Sequence, residues 1–435
     1  VSIRTASQPS PDTSHRAPAR PPAPDLRSVT VVGAGLAAAQ TVAGLREHGF
    51  DGRVTVLGAE GVPPYDRPPL SKELLTRPEP VWLSEDIGVD VEKLADDVRL
   101  SSPATGLRPG VDGVVVATAD GEHAADAVVL AVGSEPLRPA GWEAADVLHT
   151  AADAERLRSA LRARPGLRLV VVGAGWIGAE IAGVAAGAGA DVTVVEAAPS
   201  PLHRQLGADV GTHLEPWYTA AGVRLRTGAP VAAVRRDGVT LASGEDVPAD
   251  LVLAAVGARP ASRWLEGTLP LDARGSLHTG RDGSVPGQPR VWAVGDVASR
   301  THPVFGTVPG GHWSAALHDP DTTARAMLGV EGGSHHAPYV FSQQLGHDLA
   351  LLGLPAPDSP VLLRGAPGDG PWAALYLDPV ADSADGVATV RAVLLVDSPR
   401  DVGGVRRLMN RGQALRLDLE RATDPTVRLK TAVAG

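Results

Sequence analysis

Two glycine-rich segments carry the clearest chemistry in this sequence. Gly33-Ala34-Gly35-Leu36-Ala37-Ala38 reads G-x-G-x-x-A, and Gly173-Ala174-Gly175-Trp176-Ile177-Gly178 reads G-x-G-x-x-G. In each, the first glycine permits a tight turn and the second lets backbone approach a pyrophosphate. The small third residue lets a helix pack closely on a strand. A phosphate placed there meets free N–H groups and the positive end of a helix dipole. One such match is weak, because a Gly-rich strand-to-helix turn also occurs without a ligand. Two matches, at corresponding places in two copies of one pattern, read as sites for two dinucleotides, FAD and NADH.

A carboxylate refines the second site. Glu196 ends the strand-like run Asp191 to Val195, 18 residues past Gly178, close to the spacing of an acid that hydrogen-bonds an adenosine ribose. It would repel a 2′-phosphate, and Ala197-Ala198-Pro199 offers no arginine to offset that, so the sequence favours NADH over NADPH. In the first copy the equivalent tip is Gly58, followed by Ala59 and Glu60. The ribose acid is there displaced or missing, and Glu60 is the candidate. Gly257, just past the strand-like run Leu251 to Val256, completes the set of candidate cofactor contacts.

Each motif needs a strand before it and a helix after it, and the hydrophobic pattern supplies both. Ser28 to Val32 is a β-branched run, helical sequence follows to about His48, and Arg53 to Leu57 is a second strand. This is a β-α-β unit of the size expected for a right-handed crossover. Further strands fall at Val114 to Ala117 and Val128 to Val132. After a linker-like stretch, Pro136 to Gly141, comes a helix at Ala151 to Arg164. The pattern then repeats: strand Leu167 to Val172, helix Trp176 to Ala188, strand Asp191 to Val195. Short strands follow near Arg224, Val231, Val239 and Leu251, then Val291 to Asp296 and helical sequence to about Leu328. The last hundred residues change character, with strands near Leu349, Val361, Trp372 and Val390 and then an Arg-rich helix. The fold class is α/β: two Rossmann-like dinucleotide-binding domains plus a C-terminal α+β domain. Residues 1–27, rich in Pro, Ala, Ser and Arg, read as a disordered leader.

Composition removes whole classes of chemistry. The chain of 435 residues has no cysteine, which excludes a disulfide framework, thiolate metal ligation and a dithiol or sulfenate redox centre. Redox chemistry must therefore run through a bound cofactor. A net charge of −10 argues against general nucleic-acid or anionic-membrane binding, and no apolar run has the length of a membrane span. The expected compartment is the cytoplasm. Only three lysines occur, Lys72, Lys93 and Lys430, so a retained lysine carries information. His335-His336, with His347 and Asp348, fits no structural zinc spacing, and no metal is expected.

A third group of motifs carries a family likeness. Pro64-Tyr65-Asp66-Arg67-Pro68-Pro69-Leu70-Ser71-Lys72, Gly178-Ala179-Glu180 and Val294-Gly295-Asp296 together resemble the FAD-dependent ferredoxin reductases that serve oxygenases, the putidaredoxin reductase-like family. The likeness runs from about Ser28 to Leu408. It implies an FAD domain in two segments (28–142 and 259–335), an NAD domain between them (143–258) and a C-terminal interface domain (336–435). It implies that Ala37 lies at the FAD pyrophosphate and Asp296 at the ribityl chain, with Arg67 among the cofactor contacts. It places Lys72 beside the flavin and close to Glu180, where a buried lysine would need that counter-charge. Lys72 would stabilise negative charge developing on the reduced ring. Trp313 either covers the flavin or packs in the core. The implied reaction takes hydride from NADH to FAD without a general base, then passes electrons singly to a two-iron two-sulfur ferredoxin.

The same comparison exposes departures. The family's Leu-Arg-Thr triplet is Leu148-His149-Thr150 here, its Glu-His-Trp is Gly311-His312-Trp313, and its Phe-Trp-Ser-Asp-Gln is Val340-Phe341-Ser342-Gln343-Gln344. Ala59 stands where an acid is frequent. Pro320 interrupts an expected helix, which should start later or kink. These changes bear on partner choice and on the flavin's exposed edge. Arg406, Arg407, Arg411, Arg416, Arg421 and Arg428 form either a solvated helix face or a steering patch for an acidic ferredoxin. Two alternatives share the motifs: an NADH oxidase or nitrite reductase flavoprotein module, and an NADH-sensing interaction protein resembling apoptosis-inducing factor.

Overall fold

The computed structural model describes residues 26–356, 358–379 and 386–434. Most of the expected leader lies outside these residues. Its last two positions do not behave as a leader: Leu26 packs on the first core, and the Arg27 N–H donates to Asp126 at 2.8 Å.

The first glycine motif sits in a five-stranded parallel sheet. Ser28–Val32 lies at its centre, flanked by Arg53–Leu57 and Ala127–Leu130, with Asp97–Arg99 and Val291–Ala293 at the edges. The central strands are buried along almost their whole length, because helices or other strands cover both faces; hence their continuous Val-rich runs. The edge strand Val291–Ala293 arrives after the second glycine unit, so one sheet is built from two distant stretches of chain. The second motif sits in a four-stranded parallel sheet ordered Arg224–Arg226, Asp191–Val195, Arg168–Val172, Leu251–Ala254. Where the chain passes between the sheets, Ser134–Pro136 pairs antiparallel with Ala258–Pro260.

Between Asp296 and Leu328 the chain departs from one expectation and decides part of another. Helix does not follow the Val291 strand directly. Gly295–Val297 makes one 3-10 turn, and an antiparallel hairpin, Ala298–His302 with Gly306–Val308, intervenes. The Leu277–Thr279 strand pairs with that hairpin in parallel, a long-range partner that local pattern does not reveal. The helix then begins at Trp313 and continues through Pro320 to Leu328 rather than starting later. Proline removes one internal hydrogen bond. Burial of Ala324 and Met327 in the core around the first glycine helix, Leu36–Glu47, offsets it. Gly44 on that helix permits the approach, since a Cβ there would lie 3.1 Å from the Ala324 Cβ.

The last region is an antiparallel sheet ordered Tyr339–Gln344, His347–Gly353, Val387–Val396, Trp372–Leu377, Val361–Arg364, with Leu415–Asp418 also paired to the long Val387–Val396 strand. Two of its strands, Tyr339–Gln344 and Leu415–Asp418, were not anticipated. The helix Pro399–Met409 packs Val405, Leu408 and Met409 into its core.

Candidate functional site

The two glycine loops are built alike. Gly33 has φ +118° and Gly173 φ +108°; a Cβ would stand 2.1 Å from the Ala131 carbonyl oxygen in the first case and 2.5 Å from that of Ala255 in the second. No other residue fits either position. In front of Gly35 and Gly175, by contrast, a Cβ would meet nothing within 4 Å. Both helices start there with no side-chain cap and no acid in the first turn. Their first-turn N–H groups therefore face open space, which fits an anionic pyrophosphate at each. Gly178 packs where a Cβ would lie 2.0 Å from the Gly173 carbonyl oxygen, whereas the first unit tolerates Ala38, itself buried. Ile177 is 42% exposed at the start of its helix.

Glu196 lies beside the second loop. One carboxylate oxygen accepts the Ala174 N–H at 2.7 Å and the other the Ala198 N–H at 2.7 Å, so the acid is held at the strand tip with lone pairs to spare. Gly257, at φ +111°, accepts the Leu137 N–H at 2.9 Å where the chain crosses between the sheets.

Asp296 stands next to the first loop, because Gly295 packs against Ala37: a Cβ on Gly295 would lie 2.9 Å from the Ala37 Cβ. Asp296 accepts the Ser134 hydroxyl at 2.9 Å and the Gly311 N–H at 3.0 Å. Gly310 is required there, since any Cβ would be 2.2 Å from the Asp296 carbonyl oxygen. Glu60 is less free than its candidacy implied. Its carboxylate bonds Arg67 at 2.8 Å and also accepts the Tyr65 hydroxyl. Arg67 in turn donates to Tyr65 at 3.1 Å and to the His149 carbonyl oxygen. His149 thus contributes its backbone at this point, while burial and the Arg67 charge hold its ring below the usual imidazole range.

The Lys72 ammonium lies 2.8 Å from Glu180; Glu180 is buried and Lys72 keeps slight solvent access. Lys72 ends the short helix Pro69–Lys72; Glu180 is on the second glycine helix, Trp176–Gly187. Glu180 accepts two further hydrogen bonds, from the hydroxyls of Ser71 and Ser342, both at 2.5 Å. The Gln344 amide donates to Ser342 at 3.0 Å. The sequence pattern assigns no function to Ser71, nor to Ser342 and Gln344. Their signal was the period of two, which turns both to one face of a strand. Trp313 does not pack in the core: the residue is 38% exposed, and its Nε1 donates to Asp66 at 2.8 Å. Burial raises Asp66 above the usual carboxylate range, against that hydrogen bond and the nearby Lys72 charge.

The histidines fall into separate packings. His336 stacks on His318 at 3.8 Å between ring centres, and His347 stacks on Trp217 at 4.1 Å while bonding Asp397. Among the described residues no group of three or more His, Cys, Asp or Glu is arranged to hold a metal ion. Arg406, Arg407, Arg411, Arg416, Arg421 and Arg428 are all exposed.

Two β-α-β dinucleotide frames, bridged by a buried lysine–glutamate pair and lacking any thiol, define a two-nucleotide flavoprotein oxidoreductase. The pyridine nucleotide-disulphide oxidoreductase model matches residues 27–318, and the reductase C-terminal model matches residues 339–433. The chain belongs to the pyridine nucleotide-disulphide oxidoreductase family. It is 31% identical over 414 residues to the ferredoxin--NAD(+) reductase component of the p-cumate 2,3-dioxygenase system of Pseudomonas putida, covering 93% of this chain and 98% of that protein. Among solved structures it resembles Fdr9 (37% identity, TM-score 0.82, 93% of this chain and 99% of that one). It also resembles putidaredoxin reductase in its covalent complex with putidaredoxin (26% identity, TM-score 0.83, 93% and 98%). The cofactors are FAD and NAD(H). Despite the family's name, no cysteine is present, so no disulfide relay operates here.

Proposed function

We propose that this chain is an NADH-dependent ferredoxin reductase that supplies electrons to an oxygenase through a two-iron two-sulfur ferredoxin. The observation that carries the reading is the Lys72–Glu180 pair, which ties the first nucleotide unit to the helix of the second. When bound, FAD accepts a hydride from NADH and returns its two electrons one at a time.

The chain's residues bind, orient and polarise. Gly33, Gly35, Ala37 and Ala38 hold the FAD pyrophosphate, and Asp296 holds the ribityl chain; the open space before Gly35 supports this. Arg67 contacts the same cofactor, with Glu60 acting through Arg67 rather than directly. Gly173, Gly175, Ile177, Gly178 and Gly257 line the NADH side, and Glu196 holds its ribose. Lys72, paired with Glu180, faces the flavin ring, and the exposed Trp313 lies at the ring's edge. Residues 28–142 and 259–335 form the FAD domain, 143–258 the NAD domain and 336–435 the interface domain; the pairing of Val291–Ala293 with Ala127–Leu130 supports the two-segment division. The dependence on reduced nicotinamide supports a cytoplasmic working site.

The test is direct. The purified protein should be yellow, bleach anaerobically with NADH far faster than with NADPH, and reduce cytochrome c only when a two-iron two-sulfur ferredoxin is added. A colourless protein that cannot be reconstituted with FAD would overturn the reading. Rapid oxygen consumption without ferredoxin would favour an NADH oxidase, and a long-lived reduced complex with NADH-induced dimerisation an NADH sensor.

A further inference from the structure

Glu180 has more partners than a counter-charge requires. One oxygen receives both Lys72, at 2.8 Å, and the Ser342 hydroxyl, at 2.5 Å; the other receives Ser71 at 2.5 Å. Ser342 comes from the C-terminal sheet, 162 residues from Glu180. We propose that Ser342 is a positioning residue for the Lys72–Glu180 pair, aimed by Gln344, so that the C-terminal sheet completes the site beside the flavin.

The hydrogen-bond inventory fixes the direction. A serine hydroxyl has one proton and two lone pairs. Gln344 Nε2 donates into one lone pair at 3.0 Å, and the proton then goes to the carboxylate, which can only accept. All three side chains are buried, so water does not compete. The backbone holds the arrangement rigid. Alternation along Tyr339–Gln344 turns Ser342 and Gln344 inward and leaves Phe341 and Gln343 exposed. The strand then turns at Leu345, which adopts φ +53°, and this turn rests on the Glu180 helix at Gly183. A Cβ on Gly183 would lie 2.9 Å from the Leu345 N. Hairpin and Glu180 therefore move together.

The consequence is electrostatic. A buried carboxylate with one cation directs all its charge at that cation. Two hydroxyl donors share it, and Lys72, with three N–H donors, keeps a stronger outward field. Removing the Ser342 hydroxyl makes the pocket more negative and disfavours the reduced, anionic flavin. This inference rests on the reading that Lys72 faces FAD.

Five full-length proteins, each loaded with FAD, test it: the wild type, Ser342→Ala, Ser342→Thr, Gln344→Met, and the exposed control Gln343→Ala. FAD content and melting temperature come first, then the two-electron midpoint potential and the rate of anaerobic bleaching by NADH. Ser342→Ala should shift the reduction equilibrium about tenfold against reduced flavin, about 30 mV downward for two electrons. Bleaching should slow by a similar factor with FAD content unchanged. Gln344→Met should move both quantities less, in the same direction, and Ser342→Thr should restore them. If Ser342→Ala and Gln344→Met keep the wild-type potential, the inference is overturned while the reductase reading stands. It is likewise overturned if they change only the melting temperature. A wild type that NADH does not bleach overturns both.

Discussion

The Lys72 Nζ lies 2.8 Å from Glu180 Oε1, joining the end of a four-residue helix in the first nucleotide unit to the glycine helix of the second. Breaking a buried ion pair from one side leaves an uncompensated charge, which costs about 3–5 kcal/mol for full burial. Lys72 keeps some solvent access, so Glu180→Gln is expected to destabilise by the lower part of that range, read by urea unfolding of the FAD-loaded protein. Lys72→Met should slow NADH bleaching by about 10- to 100-fold, the loss of roughly 1.4–2.8 kcal/mol of charge stabilisation. Unchanged bleaching in Lys72→Met would remove Lys72 from the reaction.

Glu196 governs the choice of nucleotide. Glu196→Ala removes both the ribose acceptor and the repulsion of a 2′-phosphate. The expected result is a fall of about tenfold in kcat/KM for NADH, the worth of one charged hydrogen bond, with little loss for NADPH. Steady-state kinetics with both nucleotides measures the ratio. A ratio that does not move would place the discrimination elsewhere.

Gly33→Ala should abolish FAD retention. The added methyl would meet the Ala131 carbonyl oxygen at 2.1 Å, at a φ that an L-residue avoids. Gly35→Ala has open space, so it should fold and instead weaken FAD binding by occupying the pyrophosphate's place. Melting temperature and FAD content, taken together, separate the two outcomes.

Acid should destabilise the packing between the Trp313–Leu328 helix and the C-terminal region. Burial pushes His302 and His318 down to about 4; Arg300 adds to the effect at His302, and His336 and Arg406 at His318. Burial and Arg300 also lower His335 and His336. At His302 and His318 the unfolded chain binds protons between pH 6.5 and 4 that the folded one does not, so stability is lost as pH falls through that window, and His335 and His336 act in the same direction. Asp319 acts oppositely: burial pushes it up to about 7 against the Arg300 charge, so its contribution falls as pH rises from about 4 to 7. Four histidines outweigh one carboxyl. The melting temperature should drop between pH 6.5 and 4.5, and a flat profile would contradict this balance.

Six arginines near the C-terminus are exposed on a chain of net charge −10, and a salt titration separates a steering patch from a solvated face. Turnover with ferredoxin should fall several-fold as salt is raised from about 50 to 300 mM, over which the screening length shortens from about 14 to 6 Å. Ferricyanide turnover should barely change. An equal response of both acceptors would leave the arginines as a solvated face.

What the chain determines locally was legible in the sequence. Gly33, Gly35, Gly173, Gly175 and Gly178 were legible because the strand–turn–helix pattern around each is local, although the carbonyls that exclude a side chain at Gly33 and Gly173 belong to Ala131 and Ala255. Glu196 follows from its strand, and the absence of cysteine confines redox chemistry to a cofactor. Tertiary structure decided the rest, because those features depend on partners far along the chain. The Ala298–His302 hairpin needs Leu277–Thr279, and the helix through Pro320 is held by the core around Leu36–Glu47. Arg67, the near-sequence partner of Glu60, is fixed by the distant His149 carbonyl, and Ser342 reaches Glu180 from another sheet. A serine in a strand carries no mark of the carboxylate it will meet; only packing brings the two within hydrogen-bond reach.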